Sequence, residues 1–311
     1  MNILDLRKNF FLQTIYPEMR AHFKKIFAPE YLYHYSNQFV LGEIIKTKQI
    51  WLSNAFDMND PQEITFGTEI ILNLLKQKMG DDSVIFKMIE NCRSRNEKAF
   101  ATGHPNNVFI FSFSEKGDDL KQWIHYGNNG KGVSIEFVFS KIQEALIYDE
   151  IGSEQWLLPV YYFNQYKKPS DTRAQHFCDM LLNIFRGIEK GIVEAKCQSD
   201  QNVMQMSYDN VRFFSSFIKQ DLFQDEKEWR LVINTGPGNK SIKIKTHINN
   251  MAKMVYEQDF KNKDDISCVN SIMNGPGNYN NRTNMDALEF LIREKLDGKM
   301  ITINRSRGEL R

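Results

Sequence analysis

Cysteine is scarce in this sequence, four in 311 residues, and Cys92, Cys178, Cys197 and Cys268 form no C-x-x-C pair and no compact cluster with histidine. That spacing argues against a disulfide scaffold and against structural zinc. Reduced thiols in a cytoplasm are the expectation. No apolar run approaches the 18 residues of a membrane span, so no membrane partner is expected. The opening MNILDLRKNFF carries Asp5, Arg7 and Lys8 and no apolar stretch before a small-residue cleavage site, and so does not read as a signal peptide. An excess of charge of one sign is missing too. Forty Lys+Arg stand against 39 Asp+Glu, a net charge of +1, so no global field draws the molecule to nucleic acid or anionic lipid. Several catalytic signatures are absent: G-x-S-x-G, H-E-x-x-H, the kinase set, the P-loop and the Rossmann G-x-G-x-x-G after a strand.

What is present fits a globular chain with a substantial core, at 41% hydrophobic, 25% charged and 13% aromatic residues. No fixed-period repeat and no Pro-rich or Ser/Gly-rich linker divides it. The reading is an N-terminal helical extension over 1–30, with a helix from 5 to 28 ending before Pro29, followed by one elaborated α+β domain over 31–311. Strands are expected at 31–36, 49–53, 108–114, 132–139 and 157–163. Helices are expected near 38–47, through 64–100 with a break at Gly80, and in the stretch DDLKQWIHYG that Asp118 or Asp119 could cap. Residues 171–219 alternate at helical spacing with an ambiguous middle at 196–207. EWRLVI and SIKIKT read as a hairpin across GPGN (236–239). A strand, a loop over 274–283, a helix over 284–297 and the strand MITIN close the chain. Short strands and helices that do not alternate one for one indicate α+β rather than a doubly wound sheet.

Taken in order, YLYHYS, IWLSNAFDMNDPQE, FSFSEKGDDLKQWIHYGNNGKGVSIEF, DEKEWRLVI, NSIMNGPGN and NRSRGELR resemble the bacterial family called domain of unknown function 2971, over roughly residues 31–311. Asn59-Asp60-Pro61 with Glu63, Trp123-x-x-Tyr126-Gly127 and Glu228-x-Arg230 carry the resemblance. It names no reaction and implies a defence-related bacterial role. A second resemblance is to the ADP-ribosyltransferase superfamily, with His34 on a first strand, Ser112 or Ser114 on a second and Glu228 on a third. It implies a split, mixed or antiparallel sheet with peripheral helices, with NAD as substrate and a macromolecular acceptor or water receiving ADP-ribose.

The chemistry asks for such residues. Breaking the nicotinamide–ribose bond develops oxocarbenium-like charge that a fixed carboxylate stabilises, the role of Glu228. His34 would hold a ribose, Ser112 or Ser114 would orient the other, and Tyr33, Tyr35 or Trp123 would stack on a base. Glu226, two residues before Glu228, would share its strand face and orient the acceptor. Each has a plainer reading: Glu228 as the partner of Arg230 in a structural ion pair, His34 as a satisfied core residue, the serines as small inward residues, Trp123 and Tyr126 as anchors of a short helix. Asn128–Gly132 and Gly275–Asn278 could cradle phosphate or simply turn the chain. No metal is expected. The metal-dependent alternative, a nuclease, would gather Asp60, Glu63 and Glu136 or Glu228 around a divalent cation. A non-catalytic nucleotide- or phage-protein-sensing component of a defence module is the alternative from another class.

Overall fold

The structure, a computed structural model, is described for residues 11–55, 62–99, 108–147, 154–164, 171–235, 239–246, 252–259, 268–278, 282–295 and 301–308. A π-helical turn Phe11–Ile15 leads into α1 (Tyr16–Phe23), then β1 (Tyr31–Ser36). Helix α2 (Gln38–Thr47) starts where the Asn37 side chain accepts the Val40 N–H and stops at Lys48, which takes a left-handed conformation. β2 (Gln49–Asn54) precedes α3 (Gln62–Met79) and α4 (Val84–Ala99), separated at Gly80 with φ +89° as its position in the sequence implies. β3 (Val108–Ser114), α5 (Leu120–His125), β4 (Val133–Val138), α6 (Phe139–Ile147), β5 (Glu154–Pro159) and β6 (Tyr161–Phe163) follow. Asp171 and Asp200 cap α7 (Thr172–Glu194) and α8 (Gln201–Ser215). After β7 (Ile218–Gln220) a 3-10 turn Asp221–Glu226 enters β8 (Glu228–Asn234). The chain closes with β9 (Ile242–Thr246), β10 (Ala252–Asp259), β11 (Val269–Asn274), α9 (Arg282–Lys295) and β12 (Thr302–Arg305).

Cα packing separates two compact units, each assembled from three stretches of chain. One, over 1–27, 58–108 and 160–224, is helical among its described residues, and β6 and β7 form a small parallel pair within it. Its core follows helical spacing: Phe177, Leu181, Ile184, Phe185, Ile188 and Ile192 on α7 are all buried, as are Val203, Val211 and Phe214 on α8. The other unit, over 28–57, 109–159 and 225–311, holds a ten-stranded sheet. Its main path runs β12-β11-β4-β1-β3-β2-β10-β9, with β8 pairing both β3 and β5. β11 and β12 pair in parallel, joined through α9 as a parallel connection requires, while the other described registers in the sheet are antiparallel. The fold is thus mixed α+β with an open, mixed sheet.

Three local expectations change. The strand expected over 157–163 is two strands belonging to different sheets, divided after Pro159, which has no N–H to continue a ladder. The expected hairpin between EWRLVI and SIKIKT is not formed: β8 pairs with β5 and β3, and β9 pairs with β10. The ambiguous stretch 196–207 resolves into a break followed by a helix from Gln201, where the Asp200 carboxylate accepts the Asn202 and Val203 N–H groups.

Candidate functional site

β3 is the hub of the sheet unit, hydrogen-bonded to β1, β2 and β8. A strand has only two edges, so three partners force the sheet to fork there. β1 meets β3 at Tyr33↔Ser114, and β2 meets it at Ser53↔Ile110 and Asn54↔Phe109. The strands carrying His34, Ser112/Ser114 and Glu228 are therefore neighbours through β3, although 194 residues separate His34 from Glu228 in the sequence.

Alternation then assigns faces. Residues directly opposite in a ladder share a face, so Tyr33, Tyr35, Ser112 and Ser114 lie on one face and His34, Phe111 and Phe113 on the other. His34 stacks on Phe111 with ring centroids 4.0 Å apart. Its Nδ1 is 2.9 Å from the Ser112 carbonyl oxygen, which can only accept, so Nδ1 carries the proton and Nε2 presents a lone pair. Burial pushes the ring's pKa down to about 4 against the raising effect of that carbonyl, leaving the imidazole neutral at neutral pH. His34 and the two serine hydroxyls thus approach β3 from opposite sides.

The tyrosine face is closely bonded. Tyr35 is 5% exposed, its hydroxyl donates to the Lys116 carbonyl at 2.8 Å and accepts the Asp119 N–H at 3.0 Å, and its ring meets Trp123 edge-on at 4.8 Å. Burial, with the nearby carboxylates adding, raises the Tyr35 phenol's pKa. Tyr33 packs against Gly117, where an added Cβ would sit 2.6 Å from the ring, and its hydroxyl bonds to Glu136 across the strand pair. Trp123 is fully buried and its Nε1 donates to Asp118 at 2.7 Å. Ser114 donates to the Glu226 carbonyl at 2.7 Å and accepts the Lys116 N–H. Ser112 differs, since its Oγ is covered yet has no hydrogen-bond partner among the described residues.

The two glutamates do not share a strand face. Glu226 ends the 3-10 turn, Lys227 takes a left-handed φ of 47°, and the strand begins only at Glu228. A lysine held at positive φ stores on the order of 1 kcal/mol of strain. Its carbonyl is fixed by the Glu115 N–H at 3.0 Å. The half-buried Glu226 accepts the Tyr126 hydroxyl at 3.1 Å. Glu228 is instead gripped by Arg230 of the same strand face, Nε to Oε1 at 2.7 Å and Nη2 to Oε2 at 3.1 Å, with side-chain exposures of 8% and 1%. This is a buried bidentate ion pair.

Several motif residues act as fasteners. Asp119 caps α5 through the Lys121 and Gln122 N–H groups. Asp118 accepts from Trp123, from the Ser306 hydroxyl at 2.6 Å and from the Arg307 N–H at 2.9 Å, pinning the segment after β12. Burial opposes its ionisation, but those donors prevail and hold its carboxyl below the usual range. The two glycine-rich loops bind each other: Gly275 and Gly277 donate their N–H groups to the Gly132 and Gly130 carbonyls at 3.0 and 2.8 Å, so these amides are already engaged by protein. A Cβ on Gly132 would lie 2.1 Å from the Ser36 carbonyl and one on Gly275 2.2 Å from that of Gly130, so close backbone approach explains both glycines. Asn59, Asp60 and Pro61 lie outside the described residues, as does the side chain of Glu63. Among the described residues no group of three His, Cys, Asp or Glu side chains is placed to hold a metal, and no helix is long and apolar enough to cross a membrane.

Sequence reasoning misses two of these residues. Asp118 reads there only as a choice of helix cap, and Trp51 on β2 carries no signal beyond a strand-like aromatic. The Trp51 indole Nε1 is a second covered polar atom without a partner among the described residues, and the Lys245 ammonium lies 4.8 Å from its ring centroid.

Among known families, the model described as "Protein of unknown function (DUF2971)" matches residues 122–231, from within α5 into β8. This supports the first resemblance over that stretch, which takes in Trp123, Tyr126 and the Glu228–Arg230 pair. No curated protein and no solved structure matches the chain.

Proposed function

We propose that the protein binds NAD where β1, β3 and β8 adjoin and cleaves its nicotinamide–ribose bond, passing ADP-ribose to a macromolecular acceptor or to water. The observation that carries the reading is the junction itself: His34, Ser112/Ser114 and Glu228, set far apart in sequence, sit on strands that all neighbour or include β3. A split-sheet core of the ADP-ribosyltransferase type is the architecture this reading implies, and the fork at β3 supports it.

In the reaction the bonding pair of the glycosidic bond leaves with nicotinamide, the anomeric carbon becomes cationic, and a nucleophile bonds to it and gives up a proton. The Glu228 carboxylate is the fixed anion of that scheme. Arg230 holds it in place, and a carboxylate oxygen can accept more than one hydrogen bond. Neutral His34 offers Nε2 as an acceptor to a second hydroxyl. Glu226, half-buried at the strand's entrance, faces the acceptor in this scheme.

The same ion pair supports a second reading. A carboxylate countered at bidentate distance by an arginine is electrostatically neutralised, which suits a non-catalytic sensor of nucleotide or phage protein in a defence module. Incubating the protein with NAD and following nicotinamide release separates the two. Release by the wild type that disappears in Glu228→Gln, assayed below that variant's melting temperature, upholds catalysis. Glu226→Gln should keep hydrolysis and lose transfer. Intact NAD together with saturable NAD binding would transfer the assignment to the sensor.

A further inference from the structure

Covered polar atoms without partners are rare because each forfeits about 1–3 kcal/mol relative to a bonded one. Two of those in this protein lie on one face of adjoining strands. Ser53 and Ile110 face each other across β2 and β3, so by alternation Trp51, two residues before Ser53, and Ser112, two residues after Ile110, lie on that same face, each just past the point where the β2–β3 pairing ends. The Trp51 Nε1–H and the Ser112 hydroxyl both lack a partner among the described residues, while both residues as a whole keep partial exposure. The Ser134 hydroxyl, opposite Tyr35 on this face, is a third covered atom without a hydrogen-bond partner among the described residues. Tyr35 and Ser114 are hydrogen-bonded, and Lys245, stacked on the Trp51 ring, is neutralised by Glu257 at 2.6 Å.

An indole N–H can only donate, and a serine hydroxyl donates as readily as it accepts. We propose that Trp51 and Ser112 form a paired donor site for an acceptor oxygen of the bound ligand, a ribose or phosphate oxygen of a nucleotide. The proposal rests on the nucleotide reading above and adds Trp51 to it. The pair leaves its donors unsatisfied in the free protein and satisfies them on binding, an arrangement in which stability is given up at a ligand site.

Thermal melting of the wild type, Ser112→Ala and Trp51→Phe, each with and without ADP-ribose, tests this. The expected result is that Ser112→Ala melts at or above the wild type without ligand, and that both variants bind ADP-ribose at least about tenfold more weakly, consistent with loss of one hydrogen bond each. A Ser112→Ala variant that melts below the wild type would show the hydroxyl already satisfied in the free protein and would overturn the proposal. Variants that keep the full ADP-ribose shift overturn it as well while the nucleotide reading stands. No shift of the wild type overturns that reading and this assignment with it.

Discussion

In the helical unit, buried Thr68, Ser207 and Ser215 each give their hydroxyl proton to the carbonyl four residues back in their own helix, and the Thr68 and Ser215 hydroxyls also meet at 3.1 Å across 147 residues. In the sheet unit, Tyr35, Ser114, Trp229 and Asp118 find partners 81, 112, 114 and 188 residues away. These residues follow the rule that buried polar groups are bonded. A helix meets the requirement within one turn of its own backbone. A sheet commits its backbone groups to neighbouring strands, so side chains there must look to whatever the topology brings. Losing a local bond disturbs one turn, whereas long-range bonds tie several segments into one cooperative cluster.

The largest expected effect breaks the comparison at Glu228. Glu228→Gln leaves Arg230 charged and buried, and should cost about 3–5 kcal/mol in denaturant unfolding. The paired replacement Glu228→Leu with Arg230→Leu should regain most of that. If the single variant unfolds like the wild type, the pair is not the anchor its geometry indicates.

Next comes a long-range pair in the helical unit, 139 residues apart, in which His22 Nε2 and the Tyr161 hydroxyl approach to 2.6 Å, with Phe177 packed on both rings. Burial first, then the charges of His176 and Lys25, push the His22 pKa down to about 4 from 6.5. Because the folded value is depressed, the unfolded chain binds the extra proton between those two values. Stability is therefore complete above pH 6.5 and falls as the pH drops toward 4, by roughly 3 kcal/mol at most for a shift of this size. His22→Phe should flatten that part of the stability–pH curve, and an unchanged slope would remove His22 as its cause.

Smaller effects sharpen the contrast between local and long-range bonding. Asp118→Ala strands the buried Trp123 Nε1 and frees the segment at Ser306 and Arg307. Since Asp118 is itself exposed, the loss should be about 1–2 kcal/mol, accompanied by faster amide exchange at Ser306 and Arg307. This part of stability is present above the ordinary carboxylate value of 3.8 and is lost as the pH falls through the lowered folded value. Ser207→Ala, whose bond is local, should change unfolding by less than about 1 kcal/mol. A larger loss from Ser207→Ala than from Asp118→Ala would invert the contrast.

Elements with a local signal are legible in the amino-acid order. The Asn37 cap, the Gly80 break and the period of α7 all act within a few residues, and the alternation of β2 reports one-sided burial directly. The hairpin that does not form shows where this stops. GPGN between two strand-like runs is a local turn signal, yet β8 reaches lower free energy between β3 and β5, where all seven of its residues are buried. β10 carries no turn signal of that kind; in AKMVYEQD the charges Lys253, Glu257 and Asp259 share one face with buried Val255, and what makes it a strand is its position between β2 and β9. At the site, residue types and their order point to His34, the serines and Glu228. Faces do not follow, because they depend on strand starts: Lys227 turns the chain so that Glu226 and Glu228 part.

The sequence by itself determined that this chain is α+β, that its helices begin and end near their caps and glycines, and that Glu228-x-Arg230 lies on one strand face. Those features rest on interactions within a turn or a strand, which side-chain spacing encodes. Only the tertiary structure decided that β3 would take three partners, that His34 and the serine hydroxyls would stand on opposite faces, that the glycine-rich loops would bind each other, and that Trp51 would share a sheet face with Ser112. Such pairings come from the free energy of closing loops of many tens of residues against the burial gained, a sum over the whole chain that no local pattern records.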